Sequence, residues 1–147
     1  MFKPDLVIGP AHNPQTLRWH IFRRFGWQLA LHKWLRSDDD RALHDHSADN
    51  VSVLLTGGYW EITHENGAYD VKFRWPLVPY FRKAEVPHRI RLIPNGKPVW
   101  SLWLRFPPRR EWGFLCPKGW RHWRDYLASR NDYYGGDGVS EVGPGCD

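Results

Sequence analysis

Arg41-Ala42-Leu43-His44-Asp45-His46-Ser47-Ala48-Asp49-Asn50, running on through Val51-Ser52-Val53-Leu54-Leu55-Thr56 to Gly57, decides how the rest of this chain is read. Side chains alternate with period two along a strand, so His44 and His46 point to one face. Imidazole is the commonest protein ligand for zinc, iron, copper and nickel. Forty-two residues beyond His46, His88 opens a second strand-like run, His88-Arg89-Ile90-Arg91-Leu92-Ile93. Two histidines on one strand and a third on another are how a β-barrel builds a three-nitrogen metal site with open positions. On a blander reading the pair is two exposed histidines in a polar loop after Asp38-Asp39-Asp40.

The surroundings favour the barrel. Residues 27–35 read as a strand and Ser37-Asp38-Asp39-Asp40 as a turn, since short polar side chains compete for the backbone there. A hairpin closing around Asp39 would set residue 32 opposite residue 46 and residue 34 opposite residue 44. Strands are also expected over residues 50–55, 59–63, 69–75, 80–82, 88–93 and 99–106, with a short one at 111–114. Asn66-Gly67 marks a hairpin, and Pro94-Asn95-Gly96 suggests another between 88–93 and 99–106. Many short strands at regular spacing indicate a sandwich or barrel. The helix expected is residues 119–130, with Trp120, Trp123, Tyr126 and Leu127 at three-to-four spacing. Residues 1–25, with Pro4, Pro10 and Pro14, read as an extended N-terminal arm, residues 26–134 as the barrel plus helix, and residues 135–147 as a flexible Gly-rich tail.

A chain of 147 residues is expected to form one domain with a real core. Ten Trp, six Tyr and seven Phe suit half-buried pleated surfaces and lean the class toward all-β. The net charge of +5 is spread over Arg23-Arg24, Arg82-Lys83, Arg89, Arg91, Arg109-Arg110, Arg121 and Arg124, with no basic helix or lysine tract. That dispersal argues against a nucleic-acid surface. No apolar run approaches the ~18 residues of a membrane span. The start lacks a charged, hydrophobic leader, so the cytoplasm is the expected compartment. Cys116 and Cys146 make no disulfide framework; Cys116 is expected as a buried structural thiol.

On this layout the His44-to-Gly57 stretch resembles the first motif of the cupin family, in which His-x-His is followed by Glu and then Gly; here Asn50 stands in the Glu slot. Val86-Pro87-His88-Arg89-Ile90 occupies the place of the second motif, without its Gly pattern or trailing Asn. The resemblance covers roughly residues 26–114. Leu31-His32-Lys33-Trp34, Gly57-Gly58-Tyr59-Trp60-Glu61 and Arg110-Glu111-Trp112-Gly113-Phe114 are similar to segments of an uncharacterised group of small cupins from bacteria and phages. The resemblance implies a cupin-type double-stranded β-helix, an antiparallel β-barrel, with a metal site; homodimers are common in this fold.

Three histidines without a carboxylate make a neutral ligand set, which leaves a divalent ion its full charge and up to three open positions. Thiol dioxygenases have such a set with iron. The expected protein is therefore a metal-binding cupin with His44, His46 and His88 as ligands, an iron-dependent oxygenase acting on a small polar molecule, with Fe(II) favoured over Zn, Mn or Ni. The alternatives are a non-catalytic metal- or small-molecule-binding cupin, or a Zn or Mn isomerase or hydrolase. Asn50 and His32 are candidates for a further ligand or for a hydrogen-bond partner behind the ligands. Arg89 and Arg105 are candidates to hold a substrate carboxylate.

Overall fold

Val, Trp, Tyr and Leu alternating with small or polar residues bury one face of each extended run. The computed structural model describes residues 2–9, 12–38, 42–128 and 146. Among these the strands are β1 (Leu6–Ile8), β2 (Thr16–Arg24), β3 (Trp27–Trp34), β4 (Leu43–His44), β5 (Asn50–Thr56), β6 (Tyr59–Glu65), β7 (Ala68–Arg74), β8 (Pro79–Arg82), β9 (His88–Leu92), β10 (Val99–Arg105), β11 (Gly113–Cys116) and β12 (Gly119–His122), followed by helix α1 (Trp123–Ala128). They form two six-stranded sheets, ordered β1-β2-β3-β10-β5-β8 and β12-β11-β4-β9-β6-β7. Every strand pair is antiparallel. The mostly-β expectation holds. No described helix is long and apolar enough to cross a membrane.

The inward faces are not uniformly apolar. β3 buries Gln28, Ala30 and His32, while β5 buries Asn50, Ser52 and Leu54. Apolar packing gathers instead in two clusters, one of Leu54, Tyr59, Ile90 and Val99, the other of Phe114, Cys116 and Tyr126. Between the sheets this leaves a polar-floored cavity of about 320 Å³.

Several elements depart from the sequence reading. The stretch expected as an arm supplies β1 and β2. Phe25 and Gly26 take positive φ values of 51° and 81°, the primed-turn geometry that suits a two-residue hairpin, and fold β2 onto β3. β3 pairs with β2 and β10, so the hairpin around Asp39 does not form; Asp39 itself lies outside the described residues. β9 and β10 form no hairpin either, because the Pro94-Asn95-Gly96 segment carries the chain from one sheet to the other. The Asn66-Gly67 hairpin does form, joining β6 to β7.

The helix is shorter than expected. Gly119–His122 pairs with Gly113–Cys116, and this ladder takes the backbone that the three-to-four spacing assigned to a first helical turn. Tyr126 is fully buried and stacks on Phe114 at 3.7 Å, while Trp123 stacks on Trp112 at 5.7 Å. Trp120 is 46% exposed and does not join this packing. Cys116 and Cys146 form a disulfide, contrary to the free thiols expected. The rest of the predicted Gly-rich tail, and residues 129–134, lie outside the described residues.

Candidate metal centre

His44 and His88 are direct register partners on β4 and β9, so their side chains leave the same face of the second sheet. His46 follows β4 in a segment pinned from behind. Its backbone N–H donates to Ala84 O, and Asp45 N–H donates to Gly113 O. The buried Asp45 carboxylate accepts from Gly113 N at 2.7 Å and Trp120 Nε1 at 2.9 Å, and pairs with Arg110 at 2.7 Å. These contacts tie the Asp45 carboxylate into the cavity wall and fix the segment that carries both imidazoles, which also line the cavity.

The three histidines converge. One ligand nitrogen from each of His44, His46 and His88 lies within 4.8 Å of the others. His46 Nε2 and His88 Nε2 are 3.3 Å apart. Burial drives the His46 pKa well below 6.5, with help from the charges of His88, His44, Arg82 and Arg18. Burial and then Arg82 lower His88 to about 3, although Glu61 opposes the shift. Both rings are therefore neutral at neutral pH, with lone pairs available, as a metal ligand requires.

Behind His88 stands Glu61 of β6, its side chain fully buried. Its Oε1 lies 2.8 Å from His88 Nδ1 and also contacts Arg82 Nη2, while Oε2 accepts from Arg74 Nε at 2.5 Å. Burial opposes the Glu61 charge, but Arg82, His88 and Arg74 outweigh it and hold the carboxyl well below its usual range. With Nδ1 facing a carboxylate, the His88 ring is oriented with Nε2 toward the cavity, the usual arrangement behind a metal-bound imidazole. Sequence reasoning missed Glu61, Arg82 and Arg18. The first was within reach, because Tyr59 and Glu61 share strand parity and Tyr59 is buried.

The other candidates separate. His32 lines the cavity, but from the facing sheet, where its Nε2 accepts from Arg18 Nε at 2.8 Å; it is not one of the converging group. Asn50 is fully buried and its Oδ1 accepts from Arg82 Nη1 at 3.1 Å, so that oxygen is engaged away from the histidines, and Asn50 does not line the cavity. Arg105 lines the cavity. Arg89 does not, because His88 and Ile90 take the inward parity of β9.

No family model matches the chain, and no curated protein matches it in sequence. Solved structures do match in shape. An iron(II) form of HppE in complex with substrate aligns with TM-score 0.58 and 12% identity over 71% of this chain and 56% of its own. Hydroxypropylphosphonic acid epoxidase from S. wedmorenis aligns with TM-score 0.54 and 13% identity over 72% and 58%. A cupin domain from Bordetella pertussis Tohama I gives TM-score 0.47 and 14% identity over 71% and 96%. This chain thus spans less than three-fifths of the length of the first two. The fold is a cupin fold, as the His-x-His resemblance implied.

Proposed function

We propose that this cupin-fold protein is a non-haem iron oxygenase acting on a small polar molecule, with His44, His46 and His88 holding Fe(II). The observation that carries the reading is the convergence of three ligand nitrogens within 4.8 Å on the wall of a cavity of about 320 Å³. The donor set fits a divalent ion. His46 and His88 face each other through Nε2 atoms 3.3 Å apart, and together with His44 they would hold a divalent cation through neutral imidazole nitrogens. When bound, Fe(II) supplies the redox chemistry by which dioxygen is activated. Solved structures of the same fold carry iron(II) with substrate, which supports iron as the ion.

The protein's own part is positional. Glu61 orients His88, and Asp45 fixes the His44–His46 segment. Trp103, Trp112 and Phe114 give the cavity an aromatic wall that limits water. A second reading rests on the same all-imidazole set, which serves zinc or manganese equally well: a hydrolase, an isomerase or a non-catalytic metal binder. Elemental analysis of untagged protein, followed by anaerobic Fe(II) reconstitution and oxygen-uptake assays across thiols, carboxylic acids and phosphonates, decides between them. Zinc at stoichiometry and no oxygen uptake from any iron-loaded sample would reverse the order of the two readings.

A further inference from the structure

The first sheet turns a row of nitrogen donors inward at one level. Gln28 on β3 is the register partner of Arg105 on β10, Arg105 of Asn50 on β5, and Asn50 of Arg82 on β8. Residues directly opposite across antiparallel strands share a face, with Cβ atoms about 4.5–5.5 Å apart. Gln28 and Asn50 are 4% and 0% exposed. Arg82 donates to Asn50 Oδ1, which fixes Asn50 Nδ2 as the outgoing donor. That Nδ2, Gln28 Nε2 and Arg105 Nε are all buried without an acceptor among the described residues. Native interiors seldom leave adjacent donors in that state.

Charge points the same way. Of the charged residues lining the cavity, Arg82 is offset by Glu61 and Asp45 by Arg110, while Arg18 and Asp38 carry opposite signs. Arg105 is left over. Its terminal nitrogen makes a long 3.4 Å contact to Gly26 O, and it has no carboxylate partner among the described residues. Burial, and then the neighbouring charge of Arg23, press its pKa downward. Gln28 and Asn50 stand behind Arg105 without lining the cavity and add only donors around it, whereas Arg105 lines the cavity and can meet an acceptor there. Trp103, the preceding inward residue of β10, lines the cavity beside it and offers an aromatic surface for an organic body.

We propose that Arg105, backed by Gln28 and Asn50, anchors an oxyanion subsite that takes the carboxylate or phosphonate head of a small organic molecule. That this molecule is the substrate rests on the oxygenase reading; the subsite itself does not. Both head groups present planar or trigonal oxygens to a guanidinium, which binds them through paired hydrogen bonds.

The test uses the full-length chain stripped of metal with a chelator. Benzoate, phenylphosphonate and the neutral benzamide are titrated in turn and followed by tryptophan fluorescence and by the ¹⁵N resonances of the Arg105 Nε–H and the Gln28 and Asn50 side-chain amides. At least one anion should bind about tenfold or more tightly than benzamide, as charge-assisted hydrogen bonds imply. In the wild type the Arg105 Nε–H and the two amides should shift with that anion and not with benzamide. Arg105→Gln should lower the anion's affinity to the benzamide level, and Arg89→Gln, outside the cavity, should leave it unchanged. Equal affinity for anion and amide overturns the proposal, as does a folded Arg105→Gln protein that keeps the preference. If that variant does not fold, the wild-type shifts decide alone, and their absence overturns it. Metal is absent throughout, so iron-loaded protein that consumes no oxygen leaves an anion preference standing, and oxygen consumption without that preference overturns the subsite only.

Discussion

Replacing Glu61 by Gln removes one charge and keeps the shape, which isolates what the carboxylate does. Arg82 is 7% exposed and loses Glu61, its acidic partner among the described residues. Removing one member of a buried ion pair costs about 3–5 kcal/mol because the other charge stays buried. The Arg74 contact adds little, since Arg74 is 26% exposed and partly screened, and such pairs contribute at most about 1 kcal/mol. Gln retains one carbonyl acceptor, so the lower end, about 3 kcal/mol, is the expected loss. At about 2–4 °C per kcal/mol for a chain of this size, the melting temperature should fall by about 6–12 °C. Loss of the partner behind a metal-bound imidazole typically costs ~10–100-fold in metal affinity, and chelator competition should show a drop of that order. The double replacement Glu61→Leu with Arg82→Met should recover much of the stability, as apolar substitutes for buried pairs often do, while metal affinity stays low. Glu61→Gln protein that melts within about 2 °C of wild type and binds metal unchanged would refute the argument that Glu61 supports His88.

The metal-free protein should lose stability on acidification. His32, His46 and His88 have folded pKa values lowered from 6.5 by burial, so below that pH the unfolded chain takes up protons that the folded one refuses; the stabilisation is present above pH 6.5 and lost as pH falls, with the His88 share ending near pH 3. Each ring contributes up to about 1.4 kcal/mol per pH unit, and urea denaturation across this range should show the slope; a flat profile would contradict the buried neutral rings. His44→Ala and His88→Ala should each abolish stoichiometric metal binding by elemental analysis, whereas His64→Ala, outside the cluster, should not. Cys116→Ser opens a cross-link between residues 30 apart and should lower the unfolding free energy by about 3–4 kcal/mol, the loop-closure entropy for that separation; chemical denaturation with and without reductant checks it.

The histidine cluster was legible because it depends on parity and one register contact. His44 and His46 share a face by alternation, and His88 joins them through the His44–His88 pairing. Parity would also have rejected Arg89, since an inward His88 forces its neighbour outward, and it would have found Glu61 beside Tyr59. What the sequence did not disclose was which strand pairs with which. Hairpin signals concern only chain neighbours, so Asn66-Gly67 does join β6 to β7, while Pro94-Asn95-Gly96 looks the same locally and leads to the other sheet. The partners of β3, which place Arg18 and Ser101 beside His32, are contacts between distant segments with no local mark. Pro4, Pro10 and Pro14 suggest an arm, yet all three precede residues 16–24, which contain no proline and keep every N–H free to pair with β1 and β3.

The placement of charge ties the cavity's parts together. The carboxylate absent from the Asn50 position is present at Glu61, one step behind His88, where Arg82 and Arg74 consume its charge. The imidazoles thus face a field that is positive on balance, and Arg82 helps keep His46 and His88 free of protons. Protons then compete weakly with a metal for these nitrogens. If His44, His46 and His88 hold a divalent ion as proposed, no anionic ligand would offset its charge, and Arg105 stands on the facing sheet. A neutral molecule gains little from two uncompensated positive centres, whereas an anion interacts favourably with both. On the two proposals made above, the ligand set and Arg105 would favour the same property of whatever enters the cavity, a negative charge.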